Sequence, residues 1–270
     1  MAEIKSYPDN YIRFLGTAGT RFIMLSQRRS SGGIWFSYGS ARGVIDPGPG
    51  SLVQICKASP PLSTIDINTL IITHRHIDHS SDLNVLVEGM TLKSREPRGC
   101  VLLTKDSVEK GDAVLLKYAA RRVKNIYRHK NRRLVEITPD VTVESVKHSH
   151  HGVQCYGLIF RSQGLPTWGL ISDSRPLKSF PRRYADCELL IMNVTLPFPR
   201  PPLEHLSIPD AASLLACLSP RLALLTHMGQ FILDSDPQKT ARRLCTDKTA
   251  VLAAEDGMIV DFADFNVFHK

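Results

Sequence analysis

His74, His76, Asp78 and His79 place four cation-seeking side chains within six residues, directly after the apolar run Leu70-Ile71-Ile72 and before a helix candidate that opens near Ser81. Crowding of this kind is costly. Three imidazoles and a carboxylate packed together repel when protonated and leave polar atoms unpaired when dry. A cation removes the cost, and the spacing supplies the geometry: histidines two apart on an extended strand exit point the same way and can share one ion. Asp78 and His79, on the turn that follows, can reach a second. A His-rich surface loop is the alternative reading, but this cluster is tied to a strand end and not to a low-complexity tract. The chain must therefore fold so that a buried strand ends at a polar rim.

Strands of that type recur. Apolar, β-branched runs bounded by Gly, Pro or Asp occur at Tyr11 to Leu15, Ile34 to Tyr38, Gly43 to Ile45, Leu70 to Ile72 and Val101 to Leu103. They return at Val141 to Val146, Tyr156 to Phe160, Trp168 to Ile171, Leu189 to Val194, Leu222 to Leu225 and Val251 to Ala253, and together they predict two sheets. Helices are expected at Ser81 to Leu92, Asp112 to about Tyr127, Pro209 to Leu218 and Pro237 to Leu244; Ser207 and Asp236 cap the last two and Pro suits their first turns. The fold class is α/β (α+β). Strands ending in Thr-His appear twice, at Thr73-His74 and Thr226-His227, and strands ending in Asp appear twice, at Asp46 and Asp173. The echo suggests two β-rich halves packed face to face, their Thr-His and Asp ends meeting at one rim.

With 270 residues, 43% of them hydrophobic, one compact domain over 1–270 is expected. Six cysteines lie far apart without a Cys-x-x-Cys pair, which fits core packing better than disulfides or a zinc ribbon. The first residues carry Glu3 and Lys5 before any apolar run, so no secretory segment begins there, and no stretch approaches the roughly 18 apolar residues of a spanning helix. A cytoplasmic protein without a membrane partner is the expectation. The net charge of +8 favours anionic partners, a small molecule or a nucleic acid.

Thr73-His74-Arg75-His76-Ile77-Asp78-His79 resembles the T-H-x-H-x-D-H signature of the metallo-β-lactamase superfamily. The rest of the chain resembles that pattern in order: the Gly turn at Leu15-Gly16-Thr17-Ala18-Gly19, the acidic strand end at Asp46, the third-motif segment His151 to Gly157, the Asp motif at Asp173 and the final His motif at His227. The third motif and the Glu204-His205-Leu206-Ser207 segment look most like the ribonuclease Z and cyclic-phosphodiesterase branch. The resemblance implies a four-layer αββα sandwich. It implies two divalent metal ions, zinc before manganese or iron, with His74, His76 and His151 on one, Asp78, His79 and His227 on the other, and Asp173 between them. His148 competes with His151 for the third position, strand alternation and the spacing to Gly157 favouring His151, and His150 is then left exposed or beside the site. Asp78 counts with the catalytic residues as well as the ligands. His205 joins it, for phosphate binding or leaving-group protonation; a helix-entry histidine bonding backbone is the other reading. Asp46 is placed to orient a ligand histidine.

The implied activity is hydrolysis by a metal-bridging hydroxide. Two divalent cations carry more charge than Asp78, Asp173 and a hydroxide supply together, and a net positive site suits a phosphodiester. The interval from His151 to Asp173 is too short for the tRNA-grasping arm of ribonuclease Z, so a small or cyclic phosphodiester or a short nucleic acid is expected. The alternatives are a hydrolase of carbon esters, thioesters or lactones, and a non-catalytic metal-containing nucleic-acid-binding protein. The last draws on the basic run Lys117, Arg121, Arg122, Lys124, Arg128, Lys130, Arg132 and Arg133, for which a solvated helix face is the other explanation. A homodimer stays open.

Overall fold

The β-branched runs resolve into two mixed sheets in a computed structural model that describes residues 6–109, 111 and 113–269. The first half of the chain supplies β1 (Tyr11–Phe14), β2 (Ile34–Tyr38), β3 (Ala41–Ile45), β4 (Thr69–Ile71), β5 (Arg98–Leu103) and β6 (Val123–Arg128). The second supplies β7 (Leu134–Thr138), β8 (Val141–Lys147), β9 (Tyr156–Ser162), β10 (Trp168–Ile171), β11 (Leu189–Leu196), β12 (Leu206–Ser207), β13 (Leu222–Thr226) and β14 (Ala250–Ala253). The chain then returns to the first sheet as β15 (Ile259–Asp261) and β16 (Val267–Phe268). The sheet orders are β16-β15-β1-β2-β3-β4-β5-β6 and β14-β13-β11-β10-β9-β8-β7, with β12 beside β11.

The inner faces of both sheets share one core, in which Phe36, Tyr38, Phe160, Trp168 and Phe262 are buried. The Phe160 and Trp168 rings stack at 4.1 Å. Helices cover the outer faces: α1 (Thr20–Ser26), α2 (Ser51–Cys56), α3 (Ile77–Ser80), α4 (Leu83–Thr91) and α5 (Lys117–Ala120) belong to the first half, α6 (Phe180–Arg183), α7 (Ile208–Leu218), α8 (Gln230–Asp234) and α9 (Pro237–Arg242) to the second. Leu83, Leu86, Val87 and Met90 of α4 pack under the first sheet, and Ala211, Leu214 and Leu215 of α7 under the second, giving the expected αββα layers. Ser207 caps α7 through a reciprocal pair with Asp210, as its position before Ile208-Pro209 predicts.

One expected element is replaced. The helix over Asp112 to Tyr127 contracts to Lys117–Ala120, and Val123–Arg128 becomes an edge strand; Asp112 itself lies outside the described residues. The reason is tertiary pairing. Val123 to Arg128 joins β5 in parallel register, with Arg98 opposite Val123 and Leu103 opposite Arg128, and Val, Ile and Tyr in that run suit a strand.

What positions the site is strand direction. β3, β4, β5 and β6 run parallel, as do β10, β11, β13 and β14, and ligand sites in such sheets lie off the carboxyl ends. Ile45 pairs with Ile71, so Asp46 and Thr73 leave the first sheet side by side. Ile171 pairs with Met192 and Asn193 with Thr226, which brings Asp173, Asn193 and His227 to the same rim. Among the described residues no helix is long and apolar enough to cross a membrane.

Candidate metal centre

Asp46 organises the first sheet's exit. Its carboxylate accepts from the Thr73 amide and from Thr73 Oγ1, both at 2.7 Å, and from His79 Nδ1 at 2.9 Å. The last contact fixes the ring's orientation: with Nδ1–H donated to a carboxylate, His79 turns Nε2 toward the rim. Gly48 lets α3 come this close, since a Cβ there would sit 2.1 Å from the Asp78 carbonyl oxygen. We expect Asp46→Asn to lower cation affinity by about 10- to 100-fold without loss of fold, measured by chelator competition; an unchanged affinity would remove Asp46 from this role.

The other histidines are oriented in the same way. Thr73 Oγ1 has given its proton to Asp46, so at 3.1 Å it accepts from His74 Nδ1. His150 Nδ1 donates to the Glu204 carbonyl at 2.9 Å. His74 Nε2 and His150 Nε2 therefore both aim lone pairs at His76 Nδ1, 3.0 and 3.2 Å away, and a single ring proton cannot serve both. Thr195 Oγ1 donates to the His227 carbonyl and so accepts from His227 Nδ1, each at 3.0 Å. That leaves His227 Nε2 facing His79 Nε2 at 3.2 Å. Asp78 Oδ2 completes this second group, 3.7 Å from His79 Nε2 and 3.6 Å from His227 Nε2.

Asp173 lies between the groups. Its Oδ1 accepts from Asn193 Nδ2 at 2.7 Å, which turns Oδ2 inward. Oδ2 is then 3.5 Å from His79 and His227 Nε2, 3.6 Å from His150 Nε2 and 3.9 Å from His74 Nε2. Nitrogens on one tetrahedral zinc, each at about 2.0–2.1 Å from it, stand about 3.3 Å apart. The donor set fits cations in both chemistry and spacing.

His205 stands at the open side, Nδ1 3.8 Å from Asp173 Oδ2 and 3.3 Å from Thr195 Oγ1. The third-motif segment departs from expectation. His148 is buried away from the rim, its Nε2 bonded to Tyr184 Oη at 3.0 Å and its ring against Phe180. His151, expected beside His74 and His76, sits exposed at the tip of a tight turn closed by Val153 N to His150 O, with φ of 43°. Its ring reaches His150 and His205 but not His76. His150 occupies the place beside His74 and His76. Strand alternation does not extend to residue 151, because the strand stops at Lys147 and the left-handed residue reverses the chain.

Charges at the rim are balanced by need for a cation. Burial drives His74 well below the usual histidine range, and burial together with His150 brings His76 down to about 4. Burial and neighbouring imidazoles lower His205 to about 4 as well. His79 goes the other way: burial opposes its charge, but Asp78 and Asp46 outweigh it and hold the imidazole well above its ordinary value. Burial would raise Asp173, yet His227, His205 and His79 keep the carboxyl ionised far below its ordinary range. Positive charge is held among carboxylates in a buried pocket, which is what a metal ion would supply.

His129 braces the exit from below. It bonds the Ile72 carbonyl at 3.0 Å and Ser145 Oγ at 2.7 Å, and burial lowers its pKa to about 3. The unfolded imidazole takes a proton near pH 6.5 and the folded one does not, so the stabilisation is intact above pH 6.5 and lost as pH falls toward 3, at about 1.4 kcal/mol per unit. His129→Gln should flatten the fall in unfolding free energy between pH 6.5 and 5 by about that slope, read from urea titrations; parallel slopes would contradict it.

Asn193, Thr195, Glu204 and His150 are the residues sequence reasoning passed over as parts of the site. Asn193 and Thr195 had a signal: two polar residues, two apart, closing the otherwise apolar strand Leu189–Leu196. The centre opens into a cleft of about 1040 Å³ lined also by Arg21, Arg75 and Arg200. None of the eight basic residues of the 117–133 run is among its described lining.

Comparison with known proteins places the chain in a family and a fold. A family model described as the beta-lactamase superfamily domain matches residues 42–228. An uncharacterised protein of Methanocaldococcus jannaschii is 28% identical over 228 residues, 81% of this chain and 82% of that one. Ribonuclease Z of Archaeoglobus fulgidus is 37% identical over 84 residues, 31% of this chain and 26% of that enzyme. The crystal structure of the metallo-beta-lactamase fold protein YhfI from Bacillus subtilis superposes with a TM-score of 0.76 at 18% identity, covering 93% of this chain and 98% of that chain.

Proposed function

Because this chain belongs to the beta-lactamase superfamily, we propose that it is a binuclear metal-dependent phosphodiesterase acting on small or cyclic phosphodiesters or short nucleic acids. The observation that carries the reading is the convergence of two three-donor groups on one oxygen, Asp173 Oδ2, with His205 on the open side. His74, His76 and His150 would hold one cation and Asp78, His79 and His227 the other, with the Asp173 carboxylate between the two groups. Five imidazoles with two carboxylates suit zinc, with manganese and iron as the alternatives. When bound, such a pair would acidify a water and offset the negative charge that develops on the phosphoryl oxygens.

The chain's own groups do the remaining work. Asp46, Thr73, Thr195 and the Glu204 carbonyl hold each ligand imidazole in one orientation. Asn193 keeps Asp173 turned inward. His205 stands on the open side of the centre, where its imidazole can hydrogen-bond a bound phosphate or its leaving oxygen. The partial match to a ribonuclease Z supports a phosphodiester over a carbonyl substrate.

The test is a substrate panel on one preparation. Bis(p-nitrophenyl) phosphate should be hydrolysed, and chelation should lower the rate by roughly 100-fold or more, with recovery on adding zinc or manganese. Turnover confined to lactones, thioesters or carbon esters would replace this function with the carbonyl one. Salt-sensitive RNA binding without any turnover would point to a binding protein.

A further inference from the structure

The candidate metal ligands make up only part of the cleft's lining. A cavity of about 1040 Å³ is of the size that encloses a whole organic ligand, far more than a phosphate needs. Beyond the ligands its wall turns apolar. Phe22 and Leu25 of α1 are 71% and 75% exposed, Phe231 of α8 is 65% exposed, and Ile77 and Leu203 also project there. Thirteen large apolar side chains are exposed among the described residues, and five of them gather on this one concavity. Scattered exposure needs no explanation, but a concentrated apolar wall does. Arg200 lies over the Phe231 ring with its guanidinium carbon 5.6 Å from the centroid, holding a cation at the rim of the apolar surface.

Resting on the phosphodiesterase reading, we propose that Phe22, Leu25 and Phe231 form a subsite for an aliphatic substituent of the substrate, so that the enzyme selects amphiphilic phosphodiesters over nucleotides. The occupant is part of the substrate because the wall is continuous with the centre: His76, Asp173, His205 and His227 line the same cavity. A nucleobase would want hydrogen-bonding partners for its edge. Apart from the histidines, the neutral polar side chains lining the cleft are Thr20, Thr195 and Gln230 among the described residues, and the Thr195 hydroxyl is already bonded to His227. An aliphatic chain needs none.

Alkylphosphonates from methyl to decyl, which bind without being turned over, test this by isothermal titration calorimetry on the metal-loaded protein. Affinity should rise with chain length, by about 100-fold or more between methyl and octyl. The double variant Phe22→Ser, Phe231→Ser should flatten that slope to within a few fold. Val85→Ser, an exposed apolar residue elsewhere on α4, should leave it steep. A flat series in the native protein overturns the proposal, as does tighter binding of thymidine 5′-monophosphate than of octylphosphonate. So does a change of oligomeric mass in the double variant with the slope intact, which would make the wall a contact between copies. A steep series in a protein that hydrolyses no phosphodiester would sustain the apolar subsite and remove the activity; hydrolysis with a flat series would do the reverse.

Discussion

Asp173→Asn is expected to lower phosphodiester hydrolysis by roughly 10³-fold or more and to leave the protein short of its full complement of cations. The amide is nearly the shape of the carboxylate, so the loss is one of charge and direction. Asn193 Nδ2 donates to Asp173 Oδ1 at 2.7 Å, and in the variant that contact holds the new amide oxygen and turns its NH2 toward the rim. A donor then replaces the oxygen that stands 3.5–3.9 Å from five imidazole nitrogens. Neither cation would keep its shared ligand. Elemental analysis and kcat/KM on the same preparation check this, and a variant with full metal content and native turnover would take Asp173 out of the centre.

The second large effect separates two neighbouring histidines. His150→Ala should remove one cation and lower activity by roughly 10²- to 10³-fold, because His150 Nε2 is 3.2 Å from His76 Nδ1 with its other nitrogen committed to the Glu204 carbonyl. His151→Ala should keep the metal content and change kcat/KM by less than about tenfold. Its ring is exposed at the turn tip. Glu204 makes the distinction sharper: its carboxylate accepts from the His151 amide and from Ser149 Oγ, so the turn is held by backbone contacts that survive loss of the His151 side chain. Equal losses in both variants would return His151 to the ligand set.

Much of this was legible in the sequence because the informative residues were local. His74, His76, Asp78 and His79 sit within one strand exit, where spacing and direction are dictated by a few dihedrals. Asp46, Asp173 and His227 each follow a short apolar strand, and parallel pairing alone carries them to one rim. The third motif was not legible in the same way. Choosing among His148, His150 and His151 depends on where β8 stops and on a left-handed φ at residue 151, and both are set by contacts with Glu204 and Tyr184 that lie far off in sequence. The edge strand β6 was hidden for a related reason. Val123 to Arg128 reads as a basic helix in isolation and becomes a strand only because β5 offers it a parallel partner.

The direct test is the number of divalent ions the native protein holds. Elemental analysis after gel filtration in metal-supplemented buffer should give about two per chain, falling to about one in His150→Ala. A native protein that holds no divalent ion, and hydrolyses its substrates equally well after exhaustive chelation, would contradict the account.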